Sequence, residues 1–242
     1  MGIKLIPNQP ALLIESATGR SIVIADLHFG SPIFSDVTTL ISFINEDCER
    51  MVNLCSKNNC IELIIAGDVK ETIGKPSRSV SNAIQTCFEN IANRGINISI
   101  ILGNHDGNLG SIITNGVTYH RDSIEKIINQ REKLIITHGH KKLMLDKLMN
   151  AKAVISGHIH PGYKIDAKYA SVTVKAWVVV DLIINGVRIN WIILPSFSSL
   201  INGIAVNDLS DSELLTMSPF PNTDKLEIID RRYFLLDLTP MF

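Results

Sequence analysis

A chain of 242 residues with 45 % hydrophobic and 19 % charged residues carries enough apolar content for a sizeable core. Lys plus Arg number 23 and Asp plus Glu 24, a formal net charge of −1. That excludes the global basic footprint of a dedicated nucleic-acid binder, though not contact through a local groove or through metal ions.

No apolar run is long enough to span a bilayer. The longest, AWVVVDLIIN (176–185), is interrupted by Asp181. The opening MGIKLIPNQP holds one Lys, an early Pro and no long apolar segment, so it does not read as a signal peptide, and GIKLIP lacks the Ser or Thr of a myristoylation signal. Cys48, Cys55, Cys60 and Cys87 form no C-x-x-C pair and none adjoins a histidine. They read as buried thiols of a reducing compartment rather than as zinc or redox groups. The expectation is a cytoplasmic protein without a membrane partner.

SIVIA (21–25) reads as a buried strand. A helix follows over about 37–55, where Val37, Leu40, Ile41, Ile44, Cys48, Met51, Val52 and Cys55 form one stripe at 3.6-residue spacing. IELIIA (61–66) is a second strand. A second helix over about 79–92 aligns Val80, Ile84, Cys87, Phe88 and Ile91, and ISIIL (98–102) is a third strand. This alternation predicts right-handed βαβ crossovers and a parallel sheet.

Beyond these, KLIIT (133–137) and AVISG (153–157) read as strands flanking a helix-like KLMLDKLMN (142–150). Asn185-Gly186 between two β-branched runs is a hairpin signal. Trp177 and Trp191 sit in those runs and read as core. FPNTDKLEIIDRRYFLLDL (220–238) carries one more strand. The economical organisation is one α/β domain over 1–242, with a parallel first sheet and a partly antiparallel second.

Each of five strands hands off to metal-capable groups. Asp26-Leu27-His28 follows the first, Gly67-Asp68 the second and Gly103-Asn104-His105-Asp106 the third. Thr137-His138-Gly139-His140 and Gly157-His158-Ile159-His160 follow the next two. An open α/β sheet places its ligands at that end. Six of the seven histidines lie in these clusters; His120 stands alone and reads as a surface or satisfied core residue. Asp26 and His28 are two apart, so on a strand they would share a face, and so would His158 and His160. Carboxylate, carboxamide and imidazole suit Mn²⁺, Fe or Zn²⁺ better than Ca²⁺. The absence of thiolate argues against a closed structural zinc site. Seven good ligands exceed the need of one tetrahedral ion and favour two ions sharing a carboxylate. Such a pair, about 3.5–4 Å apart, clamps an in-line phosphoryl displacement.

The ordered set from Asp26 to His160 resembles the calcineurin-like metallophosphoesterase superfamily. GDVKE, THGHK and GHIHP, with LPSFSSLINGIAVN (194–207) downstream, look like its small prokaryotic branch associated with DNA-repair ligases and helicases. The resemblance implies a four-layer αββα sandwich of two mixed sheets flanked by helices, with the metals at the sheets' C-terminal edge. It implies Asp26, His28 and His160 on one ion, Asp68 bridging both, and Asn104, His138 and His158 on the other. His105 would face the phosphate as a catalytic group, with Asp106 orienting it or its loop. Asn104, His105 and His140 are the candidate substrate contacts, His140 being equally open to a structural reading. Lys70 is read as a solvated charge sooner than as a phosphate contact.

The implied activity is dinuclear metal-dependent hydrolysis of phosphate esters, first a phosphodiesterase acting on nucleic acid. The alternative is a phosphomonoesterase or nucleotide pyrophosphatase, and a non-catalytic interaction scaffold ranks last. Two divalent ions are implied, Mn²⁺ ahead of Fe, Zn²⁺ or Ni²⁺, with a helicase, a ligase or a second copy of the chain as partner.

Overall fold

The computed structural model describes residues 2–33, 36–129 and 132–242. The chain opens with an antiparallel meander: β1 (Gly2–Leu5), β2 (Leu12–Ser16) and β3 (Gly19–Ile24). Helix α1 (Val37–Lys57) leads to β4 (Glu62–Ala66), and α2 (Arg78–Ala92) to β5 (Asn97–Ile101). With β6 (Val117–His120) these complete a six-stranded sheet in the order β1-β2-β3-β4-β5-β6, parallel from β3 onward. The expected parallel core is present, and the meander before it turns the sheet into a mixed one.

The second sheet begins with β7 (Ser123–Asn129) and β8 (Glu132–Thr137). After the one-turn α3 (Leu145–Leu148) it continues through β9 (Ala151–Ser156), β10 (Pro161–Ala167), β11 (Ala170–Ile184) and β12 (Val187–Ile193). A short β13 (Ile204–Ala205) and α4 (Asp211–Thr216) precede β14 (Leu226–Leu235) and β15 (Pro240–Met241). The order is β13-β10-β11-β12-β9-β8-β7, with β14 also pairing β11. The β11–β12 hairpin turns at Asn185 and Gly186, both with positive φ, as the sequence signal requires.

Alternation along the strands divides the core into layers. Ile22, Ile24, Leu63, Ile65, Ile98 and Ile100 face α1 and α2, meeting Ile44, Cys48, Met51, Ile84 and Phe88. Val23, Ile64 and Ile101 point the other way, into the seam between the sheets, where Leu134, Ile136, Ile155 and Trp177 meet them. Each such fully buried aliphatic side chain contributes about 1.5–3 kcal/mol relative to exposure. The outer face of the second sheet, with Val154, Val180 and Trp191, is covered by Leu148, Val206, Leu214 and Phe220.

That fourth layer is thin. KLMLDKLMN forms a single helical turn, and its Met144, Leu145 and Met149 are exposed. Both tryptophans are fully buried, and all four cysteines are free and buried, as expected. Asp181, which interrupts the long apolar run, is held by Arg188 at 2.8 Å and by the Asn190 amide.

Candidate metal centre

The parallel strands β3, β4 and β5 end side by side, and β8 and β9 end opposite them in the second sheet. The motifs following these strands therefore converge on one edge of the sandwich. Asp26, His28 and Asp68 form the floor and are buried, with His138 beside them. His105, His140, His158 and His160 are half-buried above, and Asn104 is exposed.

The convergence has a different local cause from the shared strand face expected. The strands stop before the motifs, and Asp26, His28, Asp68, His158 and His160 all adopt positive φ, between 47° and 72°. Left-handed backbone at every second residue swings both side chains of Asp-x-His and His-x-His inward. Non-glycine residues adopt this conformation rarely and at a cost, and such outliers cluster at functional sites. The neighbouring glycines supply room. A Cβ on Gly67 would strike the His138 ring, and one on Gly103 the Asp68 carboxylate. One on Gly157 would lie 2.6 Å from Ala25 Cβ and 2.7 Å from Asp26 Oδ2.

Two of the donor clusters that result share a carboxylate. Asp26, His28, Asp68 and His160 offer ligand atoms within 4.8 Å of one another, and so do Asp68, His138 and His158. Asp68 belongs to both. In the first, His160 Nε2 lies 3.2 Å from Asp26 Oδ1 and 3.1 Å from His28 Nε2. In the second, His138 Nε2 lies 3.3 Å from Asp68 Oδ2 and 3.1 Å from Asn104 Oδ1, which adds the carboxamide. This oxygen-and-imidazole donor set, buried at its base and open at its rim, fits two divalent cations of the transition series.

The protonation pattern follows from the two buried carboxylates. For Asp68, burial alone would raise the pKa, but the hydrogen bond with His138, that residue's charge and the His105 N–H (2.9 Å) pull it well below the ordinary range. For His138, burial would lower the value, yet the hydrogen bond to Asp68 and the charges of Asp26 and Asp68 hold it up at about 9. His140 is pushed down to about 4 by burial and by the His138 charge, and its Nδ1 has no partner among the described residues.

The remaining expected residues sit around these clusters. The His105 ring stands edge to face with His28, centroids 5.3 Å apart, and its Nδ1 bonds the Glu71 carbonyl. Asp106 does not touch that ring. Its Oδ1 accepts from the Val69 N–H at 2.9 Å and its Oδ2 from the Gly103 N–H at 2.9 Å, so it ties the β4 loop to the β5 loop. Of the two tasks expected of it, its contacts match the loop. Lys70 corrects the reading of a solvated charge: it is fully buried, and its ammonium donates to the carbonyls of Thr72, Ile73, Gly74 and His105.

Sequence reasoning passed over Glu71, whose Oε2 lies 2.6 Å from His28 Nδ1. The one signal was its place three residues after Asp68 in GDVKE. It also passed over Ser196, whose hydroxyl donates to the Asp26 carbonyl at 2.7 Å, and Lys175, which donates to the Ser196 carbonyl at 2.8 Å. Together they hold the segment after β12 against the Asp26 loop.

Solved structures share the fold at low sequence identity. A Pseudomonas putida nuclease, MPE, aligns over 99 % of this chain and 100 % of its own with a TM-score of 0.60 at 14 % identity. The Escherichia coli phosphoesterase Yfce aligns over 92 % and 96 % with a TM-score of 0.46 at 13 % identity. Curated protein sequences give no match. Residues 19–186 match the family described as calcineurin-like phosphoesterase, a span that takes in every strand-end motif above. The chain belongs to the calcineurin-like phosphoesterases, enzymes that hydrolyse phosphate esters with two divalent metal ions.

Proposed function

We propose that this enzyme is a two-metal phosphodiesterase whose substrate is a nucleic-acid strand. The observation that carries the two-metal reading is the pair of donor clusters sharing Asp68. Asp26, His28 and His160 would hold the first ion with Asp68, and Asn104, His138 and His158 the second. The ions, Mn²⁺ first among candidates, would neutralise the phosphate oxygens and lower the pKa of a bound water.

The chain's own groups do the rest. His105 uses Nδ1 on the Glu71 carbonyl, which leaves Nε2 for the substrate. In its protonated form that nitrogen can hand a proton to the leaving oxygen. Asp106 fixes the loop that carries it. His140, half-buried at the rim and with its pKa pushed down to about 4, would be neutral at physiological pH, which supports it as an uncharged substrate contact.

The choice of diester and nucleic acid is supported by the sequence resemblance to the DNA-repair branch and by the full-length likeness to a protein described as a nuclease. An exposed Asn104 and half-buried rim histidines also suit a strand better than an enclosed small substrate. The four free thiols support a cytoplasmic location and the lack of a linker a single domain, and the resemblance supports a repair ligase or helicase as partner.

The test is a substrate panel in Mn²⁺: a bis-aryl phosphodiester, an aryl monoester, nucleotides, and single- and double-stranded DNA. Turnover of the diester and of single-stranded DNA, abolished by chelator and by Asp68→Asn, is the expected result. Preferential cleavage of the monoester or of nucleotides would overturn the choice of substrate. Full activity in Asp68→Asn would overturn the two-metal reading.

A further inference from the structure

We infer that Glu71 is a positioning residue that sets the orientation of two histidines at once, one through its side chain and the other through its backbone. The inference rests on the reading of His28 as a metal ligand and of His105 as the group facing phosphorus.

Glu71 follows the buried Lys70 on the loop after β4. Its carboxylate lies 2.6 Å from His28 Nδ1. A carboxylate accepts only, so that nitrogen carries the hydrogen, and Nε2 is left as a lone-pair donor facing the cluster of Asp26, Asp68 and His160. A carboxylate behind a ligating imidazole fixes the tautomer and raises ligand basicity. The Glu71 carbonyl does the same for His105, taking its Nδ1–H and leaving Nε2 outward. The two rings are thereby locked edge to face.

The residue that does this is itself held. The Glu71 N–H donates to the Phe29 carbonyl at 3.0 Å, in the backbone bridge that joins the Asp26 and Asp68 loops. Next to it, the Lys70 ammonium gathers the carbonyls of Thr72, Ile73, Gly74 and His105. That cage fixes both the path of the loop and the backbone of His105. The side chain of Glu71 is 29 % exposed, against 4 % for His28, so its carboxylate closes the ring off from solvent.

Two paths lead from one residue, and they separate under mutation. Glu71→Ala removes the carboxylate and keeps the carbonyl. Lys70→Met keeps the Glu71 carboxylate and releases the carbonyl cage. His28, Glu71 and His105 also offer donors within 4.8 Å of one another, so a direct metal contact by Glu71 is the competing arrangement. The experiment measures Mn²⁺ affinity and stoichiometry by calorimetry, and histidine tautomers by ¹⁵N NMR of the metal-free protein.

For Glu71→Ala we expect first-site affinity to fall about 10–100-fold. The stoichiometry should stay at two, the His28 ring should lose its single tautomer, and Glu71→Gln, which retains an acceptor oxygen, should recover most of the affinity. The His105 tautomer should persist in Glu71→Ala and be lost in Lys70→Met. An unchanged His28 tautomer and affinity in Glu71→Ala would overturn the inference, as would a changed stoichiometry, which would make Glu71 a ligand. A wild-type protein that binds no divalent ion would instead sink the metal reading. The tautomer measurement on metal-free protein still decides whether Glu71 orients the rings.

Discussion

His105 and His28 touch the same residue yet are asked for different chemistry. His28 presents its free nitrogen to three other donors, whereas half-buried His105 has Nδ1 on the Glu71 carbonyl and Nε2 in neither cluster that shares Asp68. If His105 acts as the acid, its worth depends on the leaving group. An aryl oxide departs without a proton; a sugar alkoxide needs one. His105→Ala should therefore slow cleavage of a DNA oligonucleotide by about 10²–10⁴-fold and slow a bis-aryl phosphodiester far less. Equal losses on the two substrates, measured as kcat at saturating Mn²⁺, would remove the acid role. The residue types gathered at the site were legible in the sequence because a pair of ions calls for oxygen and nitrogen ligands, and this chain sets six of its seven histidines after four strands and Asp68 after a fifth. The orientation of those residues was not legible. Left-handed backbone at Asp26, His28, Asp68, His158 and His160 leaves no compositional trace. Lys70 and Glu71 were equally hidden, since a Lys beside a Glu after a strand reads as solvated charge until the loop is seen folding over it.

At the scale of elements, the two long helices were readable because each has a full apolar stripe, and the structure adds a cap to each. Asp36 accepts from the Thr38 and Thr39 amides to begin α1, and the Ser77 hydroxyl accepts from the Val80 N–H to begin α2. The second cap matters to the site, because α2 starts at the end of the loop that carries Lys70 and Glu71. Ser77→Ala should cost about 1 kcal/mol, read as a lower urea midpoint with unchanged slope; an unaltered midpoint would show that the cap is redundant. The elements that escaped the sequence are β1, β2, β6, β7, β10, β13, β15 and the six-residue α4. The shortest hold too few residues to display a period, β7 and β10 are interrupted by charged residues, and tertiary pairing forms them rather than local propensity. KLMLDKLMN is the converse case. Its apolar spacing looked helical, but only Leu143 and Leu148 are drawn into the core over the second sheet, and one turn suffices for that.

For the molecule as a whole, ligation and folding are linked through His138. In the metal-free protein its pKa stands at about 9, above the ordinary 6.5. The stabilisation from its pairing with Asp68 is therefore complete below about pH 6.5 and lost as pH rises through about 9. A metal ion requires the neutral imidazole, so occupancy of the second site should release a proton below pH 9 and tighten as pH rises. Tm measured across pH 6–9.5 with chelator should fall toward alkaline pH, while the gain in Tm on adding Mn²⁺ should widen. Parallel curves with and without metal would contradict the assignment of His138 as a ligand.

The split origin of the donors carries a mechanical consequence. Asp26, His28, Asp68 and Asn104 are delivered by the first sheet, and His138, His158 and His160 by the second. Each ion would then be a rivet through the sandwich, closing a chain loop as long as the 132 positions between His28 and His160. Away from that edge the two halves are joined by the apolar seam around Trp177, by the Lys126–Glu62 ion pair at 2.5 Å and by the Asn8 N–H on the Leu236 carbonyl at 2.6 Å. Bound ions would add a pin at the opposite end of the strands from the Lys126–Glu62 pair, so the groups that handle phosphate would also limit how far the two sheets can shear.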